Sequence, residues 1–534
     1  NKALSFAARG VYKIIYVAPE RLETASFLSF ALHTPISMVT VDEAHCISQW
    51  GQDFRPSYLK IIDFVEQLPG NPIISAFTAT ATEVVKNDIA RILKLKNPNI
   101  VVTGFDRENL YYQVEHLTGK QKDIFIQNYI ETHPNESGII YCATRKNVDT
   151  LYEKLLKQGV SVTRYHAGMS NDIRKKSQDD FIYDRAQVVI ATNAFGMGID
   201  KSNVRFVIHY NMPQSMENYY QEAGRAGRDG EPAKCILLFS TQDVMISKLL
   251  LGSKDFEGMD FQEIEQVKHQ DSRRLQLMEG YCMTTSCLRN YILEYFGETT
   301  HQPCDNCGNC HQEFEELDMT LDAKWVVGCI TEMRGRYGQS LVISTLLGSK
   351  KARLKDIGAT SYNCYGQLEN RTEADLRLLI SQMIRMGYIT QTEGEYSVLK
   401  AGNIADLQNK NTKIIIKKFK EKEKISTTKK HKTPFKKDSF SASTESSSTD
   451  STATNSSHNS ALFEALRQLR LQIAKEESVP PYIVFTDRTL IDMCSKLPQN
   501  EDEMLNVSGV GQNKLKKYGQ RFLQEISAFQ SANH

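Results

Sequence analysis

Ile36-Ser37-Met38-Val39-Thr40-Val41-Asp42-Glu43-Ala44-His45 joins an apolar, β-prone run to an acidic pair, the pattern of a buried strand that delivers two carboxylates to its end. Far along the chain comes Gln221-Glu222-Ala223-Gly224-Arg225-Ala226-Gly227-Arg228-Asp229-Gly230. The acidic pair can hold a magnesium ion and align a water. The two arginines, three apart and so on one face if helical, can meet charge developing on a transferred phosphate. Together these stretches describe a nucleotide site split between two walls, and hence a chain with two α/β lobes.

The runs around them fit that layout. Apolar β-rich segments at 14–17, 36–41 and 73–77 alternate with helical stretches such as 82–95, which predicts a parallel sheet flanked by helices. A second series follows past Asn109, with strands expected at 138–142, 188–192, 204–209 and 235–239 and an amphipathic helix at 147–158. Residues 241–296 read as helical and end in a cysteine cluster. Residues 321–399 give three helix-like segments and a β-prone end at 387–390 and 395–398, the signature of a winged helix. Between Lys413 and Lys437 eleven Lys face two Glu, and fourteen of the twenty-two residues from Ser439 to Ser460 are Ser or Thr. Such a segment buries too little apolar surface to offset its ordering entropy, so a disordered linker is expected there. Beyond it Leu462, Phe463, Leu466, Leu469 and Ile473 recur at helical spacing in a small all-helical module.

With 534 residues the chain has room for several cores, and 65 basic against 64 acidic residues leave a net charge of only +1. A nucleic-acid partner must therefore be met by local basic surfaces rather than a global field. No apolar run approaches the length of a membrane span, and residues 1–9 lack the pattern of an export signal. The reading is a cytoplasmic, nucleoid-associated protein without a membrane partner. Most of the eleven cysteines stand singly in apolar settings, which suits a reducing compartment.

Two further motifs, Thr78-Ala79-Thr80 and Ala194-Phe195-Gly196-Met197-Gly198-Ile199-Asp200-Lys201, complete a set in which this chain resembles the RecQ family of superfamily 2 DNA helicases, bacterial type, over nearly its whole length. The resemblance implies ATP-driven 3′ to 5′ unwinding of DNA in recombination and repair, with ATP, Mg2+ and Zn2+ as cofactors. It implies that Asp42 coordinates magnesium, Glu43 positions the attacking water, His45 couples hydrolysis to movement, and Arg225 and Arg228 act as arginine fingers. Gly198, Asp200 and Gln221 would line the nucleotide. Single-stranded and duplex DNA are the expected partners, with single-strand-binding and recombination proteins as candidates. The family's phosphate-cradling Gly-x-x-x-x-Gly-Lys-Ser/Thr has no counterpart, since neither Gly-Lys-Ser nor Gly-Lys-Thr occurs. The chain opens on Asn1 inside the first lobe, so an N-terminal truncation is the expected cause, and these residues alone should hydrolyse ATP negligibly.

The loop Ser48-Gln49-Trp50-Gly51-Gln52-Asp53-Phe54-Arg55-Pro56 matches the family's aromatic-rich loop. Trp50 and Phe54 could stack on bases at roughly 1–3 kcal/mol each, and Arg55 could grip phosphate. Cys287, followed by Cys304-x-x-Cys307-x-x-Cys310, supplies four soft thiolates suited to a closed structural zinc site. Cys282, His301 and His311 lie near enough to substitute, but the family spacing matches the first four. Arg334, Arg336, Lys350, Lys351, Arg353 and Lys355 suggest a duplex-binding face on the winged helix. Lys514, Lys516 and Lys517 follow Gly509-Val510-Gly511 in a module that resembles the HRDC domain, with Lys514 and Lys517 as candidate DNA contacts.

The division that results is multidomain: a partial first RecA-like lobe (1–105), a second RecA-like lobe (106–242), a helical zinc-binding subdomain (243–315), a winged helix (316–408), a disordered linker (409–459) and the all-helical HRDC domain (460–534). A non-catalytic DNA-structure-binding adaptor is the alternative reading. A DEAD-type RNA helicase fits less well, because of the cysteine cluster and of His45 where that family has Asp.

Overall fold

In the computed structural model, which describes residues 2–48, 51, 54–196, 199–253, 261–300, 302–350, 352–392, 398–404, 413–419 and 455–532, the first lobe is built on a parallel pair of strands. β1 (Met38–Val41) and β2 (Ile73–Ala76) pair in register from Met38↔Ile73 to Val41↔Ala76. Helices α1 (Pro56–Gln67) and α2 (Glu83–Ile92) pack against them, burying Ile61, Phe64, Val65, Val85 and Ile89 in one core with Val41 and Ala44. Pro56 opens α1 where a missing N–H costs nothing. The strand expected at 14–17 does not form: Ile14 and Tyr16 are exposed, and no described strand lies beside them to supply a ladder.

The second lobe forms the four expected strands and two that the sequence reading did not place, at 110–116 and 162–165. Six parallel strands, β3 (Leu110–His116), β4 (Ser137–Tyr141), β5 (Val162–Tyr165), β6 (Val188–Ala191), β7 (Val204–His209) and β8 (Ala233–Phe239), stand in the order β3-β8-β7-β4-β6-β5. Helices α3 (Gly119–Thr132), α4 (Arg145–Lys157), α5 (Asn171–Ile182) and α6 (Met216–Ala223) connect them. β6 is buried along its whole length, as a strand covered on both faces must be. Thr144 caps α4 by accepting from Asn147 N at 3.2 Å, which explains why the helix starts two residues before the apolar period becomes visible.

α7 (Thr241–Gly252), α8 (Phe261–Met283) and α9 (Leu288–Tyr295) follow and share a core with the lobe through Met278, Tyr281, Cys282 and Leu288. Lys122 of α3 and Asp243 of α7, both almost wholly buried, pair at 2.7 Å, and Lys122 also donates to the Tyr210 carbonyl at 2.7 Å. Arg289 of α9 donates to the carbonyls of Arg107 (2.7 Å) and Leu110 (2.6 Å), fastening this segment to the entry of the sheet.

The winged-helix region contains β9 (Phe314–Asp318), α10 (Thr320–Glu332), α11 (Gln339–Leu346), α12 (Glu373–Arg385) and a hairpin of β10 (Ile389–Gln391) and β11 (Leu399–Ala401). The hairpin arms lie two to four residues beyond the expected positions. A second correction concerns the linker. Residues assigned to it form β12 (Ile415–Phe419), antiparallel to β9, with Ile414 and Ile416 buried in the winged-helix core. The lysine count masked the apolar run Ile414-Ile415-Ile416 that starts this strand. At the other end α13 (Asn455–Glu477) starts inside the segment read as linker; residues 420–454 lie outside the described residues.

α13, α14 (Asp487–Lys496) and α15 (Gln520–Ala532) enclose a core around Leu466, Phe485, Leu490 and Phe522. Arg470, only 1% exposed, donates to the Phe485 carbonyl at 3.0 Å and to Asp487 Oδ1 at 2.7 Å. This module rests on the second lobe. Arg488 lies 3.9 Å from Glu231, and against the opposing effect of burial Arg470, then Arg205 and Lys201 of the second lobe, hold the Asp487 carboxyl below its ordinary range. Lys201, itself fully buried, is paired with Asp184.

Candidate active site

The acidic box is pinned to the end of β1. Ala44 N donates to Phe77 O at 2.9 Å and Phe77 N to Val41 O at 2.8 Å, so the turn after β1 and the turn after β2 are fixed together. Glu43 sits in the left-handed region at φ 48°, a conformation costing about 1–3 kcal/mol for a residue with a Cβ and typical of functional turns. Its carboxylate lies 3.3 Å from His45 Nδ1. His45 is buried, and the same Nδ1 lies 2.9 Å from Thr78 Oγ1, which in turn donates to Thr80 O at 3.2 Å. The structure thus brings Glu43 and His45 together with the Thr-Ala-Thr turn.

That chain crosses to the second lobe. Gln221 Nε2, on α6, donates to Thr80 Oγ1 at 3.1 Å. The expectation that Arg225 and Arg228 share a helical face is corrected, because α6 ends at Ala223 and both arginines stand in the turns that follow. Gly227, at φ 55°, turns the chain, and a Cβ there would meet Asn109 Nδ2 at 2.4 Å and Glu231 O at 2.7 Å. The turn is gripped from β3's approach: Arg107 donates to the carbonyls of Gly224 (3.3 Å), Ala226 (3.2 Å) and Gly227 (3.0 Å), and Asn109 donates to Gly227 O and Glu231 O at 2.8 Å each. From it Arg225 reaches Gly196 O, while Arg228 reaches Ile199 O at 2.7 Å and Asp200 Oδ1 at 3.4 Å. Both arginines therefore meet the Ala194–Lys201 motif. Gly198 itself lies outside the described residues.

Burial, and next the neighbouring Arg225 charge, push the Arg228 guanidinium below its ordinary basicity. Arg225 Nε is buried with no hydrogen-bond partner among the described residues. Two guanidinium groups held close and partly desolvated favour an anion between them, and a polyphosphate has that charge. Arg107 and Asn109, which shape this turn, escaped the sequence reading; they belong to no motif and act only through contacts more than a hundred residues away.

Next to Gln221, Glu222 accepts from or is paired with His209 Nε2 at 2.9 Å. Tyr141, Asn193, His209, Asn211, Asn218 and Glu222 line a cavity of about 250 Å³ at the ends of β4, β6 and β7.

The four cysteines converge. Sγ atoms of Cys287, Cys304, Cys307 and Cys310 lie within 4.8 Å of one another, and Cys307 forms a bridge to Tyr112 that anchors the group on β3. Burial, and then Cys307, push the Cys310 thiol up to about 11, and hydrogen bonding to Cys287 and Cys307 holds Cys304 higher still. Four crowded thiols cannot all ionise without a cation among them, so the donor set fits zinc with no coordination position left open. His311 turns away to the Asp305 carbonyl at 2.7 Å, and Cys282 is buried in the lobe core, so neither competes; His301 lies outside the described residues.

Of the aromatic loop, Trp50 lies outside the described residues; Phe54 is half-buried and Arg55 exposed, its N–H donating to Cys46 O at 3.0 Å. On the winged helix Arg334, Arg336, Lys350, Arg353 and Lys355 are exposed, and Lys351 is outside the described residues. In the last module Lys514 Nζ sits over the Phe485 ring at 5.5 Å, Lys517 pairs with Glu477 at 2.5 Å, and Lys516 is exposed. Among the described residues no helix is long and apolar enough to cross a membrane.

Comparison with known proteins finds matches along most of the chain. Family profiles match at 1–87 (DEAD/DEAH box helicase), 121–230 (helicase conserved C-terminal domain), 241–311 (RecQ zinc-binding), 313–425 (RQC domain) and 459–526 (HRDC domain). The ATP-dependent DNA helicase RecQ of Bacillus subtilis is 41% identical over 520 residues, covering 97% of this chain and 81% of the relative. The proteins of the same description from Haemophilus influenzae (35% identical; 98% of this chain, 79% of the relative) and Pasteurella multocida (36%; 98% and 78%) follow.

Proposed function

This chain belongs to the RecQ family of DNA helicases, and from that premise we propose that it carries the divided hydrolytic site of a 3′ to 5′ motor acting in recombination and repair. In this reading Asp42 holds the magnesium ion of the nucleotide and Glu43 orients the attacking water. The metal's contribution is to neutralise phosphate charge. His45, between Glu43 and Thr78, passes the state of the acid pair to Thr80 and across to Gln221. Arg225 and Arg228, held in a rigid turn rather than on a flexible helix end, meet the charge that develops on the phosphate. Gly198 and Asp200 line the nucleotide. Trp50, Phe54 and Arg55 take single-stranded DNA beside the acid pair, the exposed basic residues of the winged helix take duplex, and Lys514 and Lys517 extend the grip. The boundaries 1–105, 106–242 and 243–315 serve as the motor's two lobes and zinc segment. Single-strand-binding and recombination proteins are the partners proposed for it.

The observation that carries this reading is the 3.1 Å bond from Gln221 to Thr80, which links the wall bearing the acids to the wall bearing the arginines. The experiment is ATP hydrolysis with and without single-stranded DNA. These 534 residues, with no Gly-Lys-Ser/Thr among them, should turn over ATP negligibly, while a version extended upstream by a phosphate-cradling loop should be DNA-stimulated and lose about 10³-fold or more with Arg228→Ala. DNA-stimulated turnover by the 534 residues, or an extended version indifferent to Arg228→Ala, would refute it. The missing loop motif favours one rival, a DNA-binding adaptor. An extended version that binds forked DNA but never hydrolyses ATP would establish it.

A further inference from the structure

Arg274 lies on α8, in the segment that leads to the cysteine cluster, and is 9% exposed. It does not serve the cluster. Its Nη1 donates to Asp271 Oδ1 at 3.0 Å, one turn earlier, and its Nη2 donates at 2.9 Å to the carbonyl oxygen of Gly51, in the first lobe. Gly51 is closed tightly over the acidic box. Its N–H donates to Ser48 O at 2.9 Å, and a Cβ would stand 2.1 Å from His45 O, so only glycine fits so near that backbone. His45 is the residue that touches both Glu43 and Thr78. Arg274 thus reaches from the metal-binding segment to the backbone directly behind the acid pair.

Two turns further along the same face, α8 meets the wall that bears the arginines. Tyr281, two turns after Arg274, has its hydroxyl 3.2 Å from that of Tyr219 on α6. Glu217, in the first turn of α6 and 5% exposed, accepts from the Tyr295 hydroxyl at 2.6 Å with Oε1, while its Oε2 has no hydrogen-bond partner among the described residues. Burial and Glu217 raise the Tyr295 hydroxyl, and the Arg274 charge opposes them. One buried cation therefore stands where the first lobe, the second lobe and the zinc segment meet.

We propose that Arg274 is a positioning residue for hydrolysis: through the Gly51 carbonyl it fixes the backbone behind Glu43 and His45, and so makes the zinc-binding segment a working part of the nucleotide site. The proposal rests on the reading of Glu43 and His45 as hydrolytic residues, but its test does not. The chain has two tryptophans, Trp50, the sequence neighbour of Gly51, and Trp325. In a Trp325→Phe background the remaining tryptophan emission reports on Trp50, next to Gly51 in the chain. Arg274→Ala should red-shift that emission and raise its acrylamide quenching by about two-fold, the response of a locally released segment, while bound zinc stays at one per chain. Arg274→Lys, which can still donate to a carbonyl, should restore most of the parent signal. Stripping zinc from the parent should reproduce the Arg274→Ala signal, and stripping it from Arg274→Ala should add little. An unchanged emission in Arg274→Ala overturns the proposal. So does loss of zinc in that variant, because the residue would then support its own segment rather than the site. Whether Glu43 and His45 hydrolyse ATP is read separately, from Glu43→Gln in the extended version.

Discussion

Gly227 shows how much of the site depends on one residue without a functional group. Its left-handed backbone turns the chain after α6, just before Arg228, and Asn109 and the Glu231 carbonyl occupy the space a side chain would need. Gly227→Ala is expected to cost about 1–3 kcal/mol, combining backbone strain with a clash against groups that are themselves hydrogen-bonded. Gly159, at φ 80° with nothing within 4 Å, isolates the strain alone, so Gly159→Ala should cost distinctly less. Urea denaturation of both variants makes the comparison, and equal costs would mean that the contacts around Gly227 yield. The residues proposed for the chemistry can be picked out of the sequence, since Asp42, Glu43, His45, Arg225 and Arg228 lie in short motifs of fixed spacing. The residues that aim them were not: Arg107, Asn109 and Arg274 act on backbone carbonyls, and any residue type can supply those.

Among the elements, the tie between α3 and α7 stakes most on a single pair. Lys122→Met would leave Asp243 charged and buried without its cation, though Ser240 and Asn211 still donate to it. A loss of about 3–5 kcal/mol is expected, whereas replacing both partners by apolar residues should recover much of it. Thermal denaturation of the single and double variants tests this. The cysteine cluster yields a second outcome: a chelator should release one zinc per chain, expose four titratable thiols, and loosen α8 and α9, since binding and folding of such sites are coupled. A chelated protein with unaltered helical circular dichroism would contradict it. At this scale periodicity located β4, β6, β7 and β8 of the second lobe to within about two residues, because each is a continuous apolar run bounded by turns, and it missed β3 and β5, in which polar or charged residues interrupt the apolar ones. It failed for β12, whose three apolar residues stand at the edge of a lysine-rich tract, and for residues 14–17, whose apolar run found no neighbour. A strand is a property of a pair.

Across the whole molecule, the last module is held to the second lobe by charge. Arg470, Asp487, Lys201 and Arg205 are gathered near Asp229, the residue after Arg228. The folded Asp487 carboxyl lies below its ordinary 3.8, so its stabilising contribution is present above pH 3.8 and lost as pH falls through the folded value. Asp487→Asn should therefore destabilise the protein at pH 7, and the gap between parent and variant should close below pH 3.8. Equal stability at neutral pH would show that the network is merely solvated. The sequence by itself determined the order of the modules, the identity of the acids, arginines and thiols, and the near-zero net charge that leaves DNA to local surfaces. These are written in spacing and residue type, which need no partner to be read. Only the tertiary structure decided that the arginines stand in a turn, that Gln221 meets Thr80, and that Arg274 reaches Gly51. Each of those depends on groups brought together from distant parts of the chain, and no local pattern records a contact whose other half lies a hundred or more residues away.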